Sequence, residues 1–344
     1  MNKKILIVGD GNHFLIKSLT KRILSISQGR ISISILTFNP INKENLNLYE
    51  EVYYKKINRH IEKIILSLKV FNLFFRYYQY NSILNNIKHY DYVHFHFLGP
   101  DKHNFFYFFK NKFSAKIILS IWGSDMYRIK NIYKRTFKSI CNDADIITLA
   151  NQESTEYLCE NFNINSSKIR VCVFGLEPLD LIVNNKKTKE DCKKTLKINL
   201  HKKAITIGYN LSEQQQHLSI LKALDNDNIK KFKDEIILLF PIAYGGNKFY
   251  KEKILNQLKK LPFEYVLLDK TLNYHEISVL RKATDIMIQL QTTDQLSGSM
   301  LEHLCAQNIV ITGNWLPYKI LKDNNIYFEE VESVEDIKYK LSSI

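Results

Sequence analysis

The chain has 344 residues, 45% of them hydrophobic and 24% charged. This argues against a disordered chain and exceeds what one core of ordinary size holds, so two domains are expected. Lysine and arginine number 49 against 35 aspartates and glutamates, a formal charge of +14; nucleic acid, anionic lipid and phosphorylated small molecules are the partners that such a surface favours, although a Lys-, Asn- and Ile-rich source composition discounts the signal. Five scattered cysteines (Cys141, Cys159, Cys172, Cys192, Cys305) form no C-x-x-C pair, which argues against a disulfide framework or a zinc site and fits a reducing compartment. The first apolar run breaks at Gly9, too short for a signal peptide. There is no run of about 18 apolar residues that could span a membrane.

In chain order, "KKILIVGDGNHFLIKSLTKRIL" reads as a strand, a Gly-Asp-Gly turn and a helix. Further strands are expected at Ile31–Phe38, Asp91–Gly99, Ala115–Asp125, Ala144–Asn151 and Lys168–Gly175, with helical patterns between most of them. Residues 176–203, Lys-rich and polar, read as a linker region. The alternation then restarts with a strand at Ala204–Asn210 and the helix "HLSILKAL". The strands of "DEIILLFPIAYGG" and "EYVLLD" follow, then the helix and strand of "NYHEISVLRKATDIMIQL", the strand "IVITG" and the closing helix "SVEDIKYKLSSI". Strands alternating with helices predict parallel sheets covered on both faces. The expected fold class is therefore α/β, two doubly wound Rossmann-like domains at 1–175 and 204–344, with the last helix a candidate to pack back on the first domain. Ligands of such sheets bind beyond the carboxyl ends of the strands, so the post-strand loops are where function is sought.

Those loops carry most of the unusual chemistry. Gly9-Asp10-Gly11 lacks the third glycine of a dinucleotide fingerprint, since Phe14 occupies its place; it is a tight turn or a substrate-facing loop, and a nicotinamide cofactor is not expected. His94 and His96 alternate onto one face of a strand, as a structural pair, a cleft lining or, with further ligands not evident nearby, a metal site. In "SIWGSDMYR", Asp125 reads as a general base or as the cap of a helix starting near Met126. "GYNLSEQQQH" offers backbone amides and a helix start for phosphate, or a polar loop. Gly245 and Gly246 allow close backbone approach, with Tyr244 and Tyr250 beside them. In "TTDQLSGSMLEHLCAQNIVITG", Asp294 precedes a Ser297-Gly298-Ser299 helix start, whose amides suit a diphosphate. Glu302 lies about one turn further on. A capping box of Ser299 and Glu302 is the plainer alternative.

These segments resemble bacterial glycosyltransferases of the two-Rossmann-domain GT-B type, over nearly the whole chain in order. "KILIVGD", "DYVHFHF", "ILSIWGSD" and "IRVCVFGLEPLDL" are similar to first-domain segments of that family. "KATDIMIQLQTTDQLSGSMLEHLCAQNIVITG" is similar to the Glu-x7-Glu segment of family-4 enzymes, with Asp294 as the first acid and Glu302 as the second. The chain departs from the pattern at Gln307, Ile309 and Trp122, and the basic pair of the "GYN" segment is absent. "GYNLSEQQQH" and "FPIAYGGNKFY" also resemble the transferases that add 4-acetamido-4,6-dideoxygalactose to enterobacterial common antigen, which leaves the stereochemical course open.

The resemblance implies a metal-independent, cofactor-free enzyme of the hexosyltransferase type. Asp294 and Asp125 are its candidate catalytic carboxylates. The donor, a nucleotide-diphosphate sugar, is expected on Gly208, Asn210, His217, Tyr244, Gly245, Asn247, Ser297, Gly298, Ser299 and Glu302. The acceptor is expected on Gly9, Asp10, Gly11, His94, His96 and Trp122. That acceptor is expected to be a lipid-linked glycan or oligosaccharide in O-antigen or capsule synthesis, on undecaprenyl diphosphate. The expected location is cytoplasmic, peripheral on the inner leaflet of the inner membrane. "FFYFFKNKF" (Phe105–Phe113) and "IILSLKVFNLFFRYYQY" (Ile64–Tyr80) mix aromatic and basic residues as an anionic lipid surface would require; a core helix is the alternative. A nucleotide-sugar epimerase of similar fold and a basic nucleic-acid-binding protein are the rival functions, and no nucleic-acid motif supports the latter.

Overall fold

The computed structural model describes residues 3–54 and 82–343; the expected aromatic-basic segment Ile64–Tyr80 lies outside them. The chain divides into two compact units, Met1–Gly175 and Leu176–Ile344.

The first unit holds strands β1 (Lys3–Val8), β2 (Ile31–Leu36), β3 (Val52–Tyr53), β4 (Tyr92–His96), β5 (Lys116–Ser120), β6 (Ile146–Leu149) and β7 (Ile169–Val171). All pair in parallel, in the order β3-β2-β1-β4-β5-β6-β7. Its helices are α1 (Phe14–Ser27), α2 (Pro100–Lys112), the single turn α3 (Ser124–Tyr127), α4 (Asn131–Asp143) and α5 (Gln152–Phe162). A parallel sheet is apolar on both faces, and β1 shows why its sequence has no polar alternation. Leu6 and Val8 enter one core with Phe95 and Phe109, while Ile7 enters the other with Ile16, Ile33 and Ile35.

Helix α2 overturns one expectation. Phe105, Phe106 and Phe109 of "FFYFFKNKF" are no more than 1% exposed, and Tyr107, Phe108 and Phe113 pack against the same core. Lys110 pairs with Asp143 at 2.6 Å and Lys112 donates to Asn85 Oδ1 at 2.7 Å. These rings cover the protein's own sheet, so this segment does not present an aromatic face to lipid. No helix among the described residues is long and apolar enough to cross a membrane.

The second unit holds α6 (Glu177–Asn184), α7 (Lys189–Thr195), β8 (Lys203–Ile207), α8 (His217–Leu224), β9 (Ile236–Pro241), α9 (Lys248–Leu258), β10 (Glu264–Leu268), α10 (Tyr274–Ala283), β11 (Ile286–Gln289), α11 (Gly298–Cys305), β12 (Ile309–Gly313), α12 (Lys319–Asp323), β13 (Glu329–Val331) and α13 (Ile337–Ser343). Its parallel sheet runs β10-β9-β8-β11-β12-β13. Residues 176–203, expected as a linker region, belong to this unit. Asn185 donates to Ser278 at 2.9 Å, and Lys189 and Lys193 each meet Asp285 at 2.8 Å. Ile182, Cys192 and Ile198 are buried behind these polar contacts. The segment looks like a linker in sequence because its lysines are conspicuous, whereas the carboxylate that receives them is remote in the chain. The closing helix buries Ile337 and Leu341 in the second unit's own core.

Candidate functional site

In the second unit the chain runs outward from β8 through β9 to β10, then returns to the other side of β8 with β11. The loops leaving β8 and β11 therefore diverge, and the crevice between them is where an open α/β sheet receives ligands. Gly208 stands at this point with φ +63°, and a Cβ there would lie 2.9 Å from Gln215 Oε1 and 3.1 Å from His217 Nε2. Only glycine meets both demands. Gln291 joins the loops. Its Oε1 accepts from Gln215 at 3.1 Å and from Tyr209 at 3.2 Å, and its backbone carbonyl accepts from Trp315 at 2.9 Å. Gln216 adds a bond to the Leu290 carbonyl at 2.6 Å.

Asp294 follows in the β11 loop, where its Oδ2 accepts the Tyr318 hydroxyl at 2.6 Å. Burial first, and the adjacent carboxylate second, hold the Tyr318 phenol well above its ordinary range, so Tyr318 is a fixed donor. Ser297 caps α11, its Oγ accepting the Met300 amide at 3.2 Å. The amides of the first turn stand at the positive end of the helix, next in the chain to the Asp294 loop. The alternative reading, a capping box of Ser299 and Glu302, does not form, because Ser297 rather than Ser299 takes the cap. Glu302 is instead buried against Arg281, with Nε at 2.9 Å and Nη2 at 2.8 Å from the same oxygen, Oε2. Arg281 Nη1 also lies 3.0 Å from His303 Nε2. Buried side-chain atoms here without a partner among the described residues include Gln215 Oε1, His217 Nε2, Gln291 Nε2 and Ser299 Oγ. Buried polar atoms nearly always find one, so the crevice is chemically suited to hydroxyls and phosphate oxygens. Burial lowers the His217 pKa to about 4, which keeps the ring neutral.

The remaining expected donor residues are engaged in shaping loops. Asn210 Oδ1 accepts the Ser212 amide at 2.9 Å, and Asn247 caps α9 through the Tyr250 amide at 2.9 Å. Gly245 has φ +90° and would place a Cβ 3.2 Å from the Asn210 side chain. Tyr244 is 57% exposed.

The first unit has its own switch point between β1 and β4. Asp10 Oδ1 accepts the Asn12 amide at 3.0 Å, an Asx turn, and Gly9 and Gly11 are hemmed by Ile16 and Ile41. His94 Nε2 lies 2.7 Å from Ser120 Oγ. His96 is fully buried, with its ring 4.0 Å from that of His94 and 6.0 Å from Trp122. His13, which caps α1, rests on Trp122 at 4.6 Å. Burial depresses the pKa of His13 and His94 to about 4 and that of His96 well below its ordinary value. Asp125 bridges two loops: Oδ2 accepts the Leu98 amide at 2.8 Å and Oδ1 the Trp122 amide at 2.9 Å. Burial raises its pKa to about 6, against the opposing pull of those two amides. Both oxygens thus hold loop structure, and α3 begins after Gly123 without an Asp125 cap.

Among solved structures, the chain is similar to a glycosyltransferase from Rickettsia africae (17% identity, TM-score 0.67, 99% of this chain and 88% of that one). It is also similar to Anabaena HepE in complex with UDP and glucose (12%, 0.70, 99% and 89%), and to sucrose-phosphate synthase from Thermosynechococcus elongatus (10%, 0.72, 100% and 90%). The fold is GT-B. No family model and no curated protein matches the chain.

In this GT-B chain, Gly208, His217, Asp294 and Ser297–Ser299 gather at the β8/β11 crevice, while Gly9, Asp10, His94, His96 and Trp122 gather at the β1/β4 crevice. Sequence reasoning missed Tyr209, Gln215, Arg281, Gln291, Tyr318 and His13. Arg281 left one signal, a cation within the otherwise apolar face of "ISVLRKA"; Tyr318 left none, because its partner is fixed only by folding. Among the described residues no three His, Cys, Asp or Glu side chains converge as metal ligands.

Proposed function

We propose that this protein is a glycosyltransferase whose second unit binds a nucleotide-diphosphate sugar at the β8/β11 crevice. The observation that carries the reading is the capped start of α11, the close-approach glycine Gly208 and the Asp294 carboxylate on the loops of that crevice, with Glu302 on the same helix. The amides of α11 suit the diphosphate, Glu302 the ribose hydroxyls through its oxygen not bound by Arg281, and Asp294 the donor sugar. HepE was solved with UDP and glucose, and its likeness in fold supports this class of donor. The transfer is of hexosyl type and metal-independent, since helix amides take the place of a cation at the diphosphate.

The acceptor is a glycan, lipid-linked in surface polysaccharide assembly such as O-antigen or capsule, and held by the first unit. The +14 charge supports attachment to the anionic inner leaflet. With α2 occupied by the core, the better candidate surface is α4, whose Lys134 and Arg135 are exposed, with Lys130 just before it, and whose Ile132 is 79% exposed. The local likeness to the common-antigen transferases makes an amino-dideoxy sugar one donor to try.

The test is a thermal-shift screen over UDP, GDP, TDP and ADP and their sugars, because a bound donor stabilises the fold by mass action. It is followed by incubation of the best donor with a membrane lipid extract in chelator. Stabilisation by a nucleotide and transfer to lipid are expected. A free-sugar product would favour an epimerase, and no stabilisation by any nucleotide would overturn the reading.

A further inference from the structure

The β1/β4 crevice of the first unit carries a chemistry that the donor assignment does not use. His13, His94, His96, Trp122 and Phe174 form one ring cluster, with Phe174 5.8 Å from Trp122 and 6.4 Å from His96. Both ring nitrogens of His96 and the indole Nε1 of Trp122 are buried without a partner among the described residues. The charges beside them are turned to the backbone. Lys102 donates its ammonium to the His96 carbonyl at 2.7 Å and the Phe97 carbonyl at 2.6 Å, and Asp125 takes the amides of Leu98 and Trp122.

A neutral imidazole offers one donor and one acceptor, and an indole one donor. That set matches hydroxyl groups, each of which both donates and accepts. Phosphate and carboxylate, which only accept, suit it less well, since each neutral imidazole also presents an acceptor nitrogen. The indole adds an apolar face with a polar tip, and convergent polar groups within an apolar lining are what fix a small ligand's orientation.

We infer that this cluster holds an uncharged pyranose unit of the acceptor, stacked on Trp122, with hydroxyls on His96 and the Trp122 Nε1. The charged or lipid part of the acceptor then lies elsewhere. The inference rests on the glycosyltransferase reading and names its acceptor's chemical class.

The chain has two tryptophans, and they fall one in each crevice, which separates the two readings. In a Trp315→Phe chain, emission reports Trp122 alone. Titration with methyl β-glucopyranoside, methyl α-galactopyranoside and methyl N-acetyl-β-glucosaminide should give a saturable change with at least one, at millimolar concentration, and inorganic pyrophosphate should give none. His96→Phe keeps the ring and removes both nitrogens; it should weaken that glycoside at least tenfold with the melting temperature unchanged, and His96→Gln should restore part of the affinity. A response to pyrophosphate, or no response to any glycoside, overturns the inference even if the His96 variants fail to fold. The Trp122→Phe chain, titrated with UDP, GDP, TDP and ADP, reads Trp315 at the donor crevice. A response there beside silence at Trp122 sinks the acceptor inference alone, and silence at both sinks the glycosyltransferase reading with it.

Discussion

Glu302 and Arg281 are both buried, and each makes the other tolerable. Removing one partner of such a pair leaves an uncompensated charge and costs about 3–5 kcal/mol. Arg281→Met should therefore lower the unfolding midpoint sharply and, by releasing Glu302, weaken nucleotide binding. Glu302→Gln, which keeps shape and one acceptor, should cost less stability. Differential scanning fluorimetry with and without nucleotide checks both effects, and an unchanged midpoint in Arg281→Met would show that the pair contributes nothing. Asp125 makes a different residue-scale prediction. Its two oxygens accept two amides, whereas asparagine has one acceptor and would turn an N–H donor towards the other amide. Asp125→Asn should destabilise the chain by about 1–3 kcal/mol in urea titration and leave nucleotide affinity at the wild-type value. A selective loss of turnover with stability intact would instead favour a catalytic role.

Two helices of the first unit show that similar residue types serve opposite ends. In α2 the phenylalanines are core and Lys110 is tied to Asp143, so Lys110→Glu would set like charges together and report stability rather than lipid binding. In α4 the buried face is Phe137, Ile140 and Cys141, which leaves Lys134 and Arg135 exposed. Reversing both to glutamate should leave the circular dichroism spectrum unchanged and reduce sedimentation with anionic vesicles. Each basic residue near such a surface contributes about 1 kcal/mol, and salt should mimic the change because the attraction is screened within about 8–10 Å. Wild-type sedimentation by the double variant would remove α4 as the lipid-facing surface.

For the whole molecule, burial of histidine sets the response to acid. His13, His94 and His217 are held near pKa 4, and His96 and His303 well below their ordinary value. Between about pH 6.5 and 4 the unfolded chain binds protons at these rings and the folded chain does not, so stability falls as pH falls. Each ring contributes a slope of up to about 1.4 kcal/mol per pH unit. Asp125, raised to about 6, acts in the opposite sense: the folded chain holds its proton between about pH 4 and 6, which offsets roughly one histidine. The urea midpoint should therefore drop steeply between pH 6.5 and 5. A flat profile there would show that these rings titrate freely in the folded protein.

The sequence by itself determined the two doubly wound sheets and the loops in which function was sought, because hydrophobic period and turn residues are properties of adjacent positions. The runs "KILIV" and "IIL" are apolar without alternation, and that pattern already requires cover on both faces of a sheet. What lay beyond it was the identity of the covering surface. The aromatics of Phe105–Phe113 would suit lipid or core equally well, and only the sheet they fold against decides. The lysines of 176–203 suggest a linker until Asp285 meets them; Glu302 suggests a cap until Arg281, on another helix, takes its oxygen. The neutral state of His94 and His96 likewise comes from desolvation, which no spacing encodes. Tertiary structure alone chooses such partners, because the energy of burying a charge or a ring depends on what closes over it.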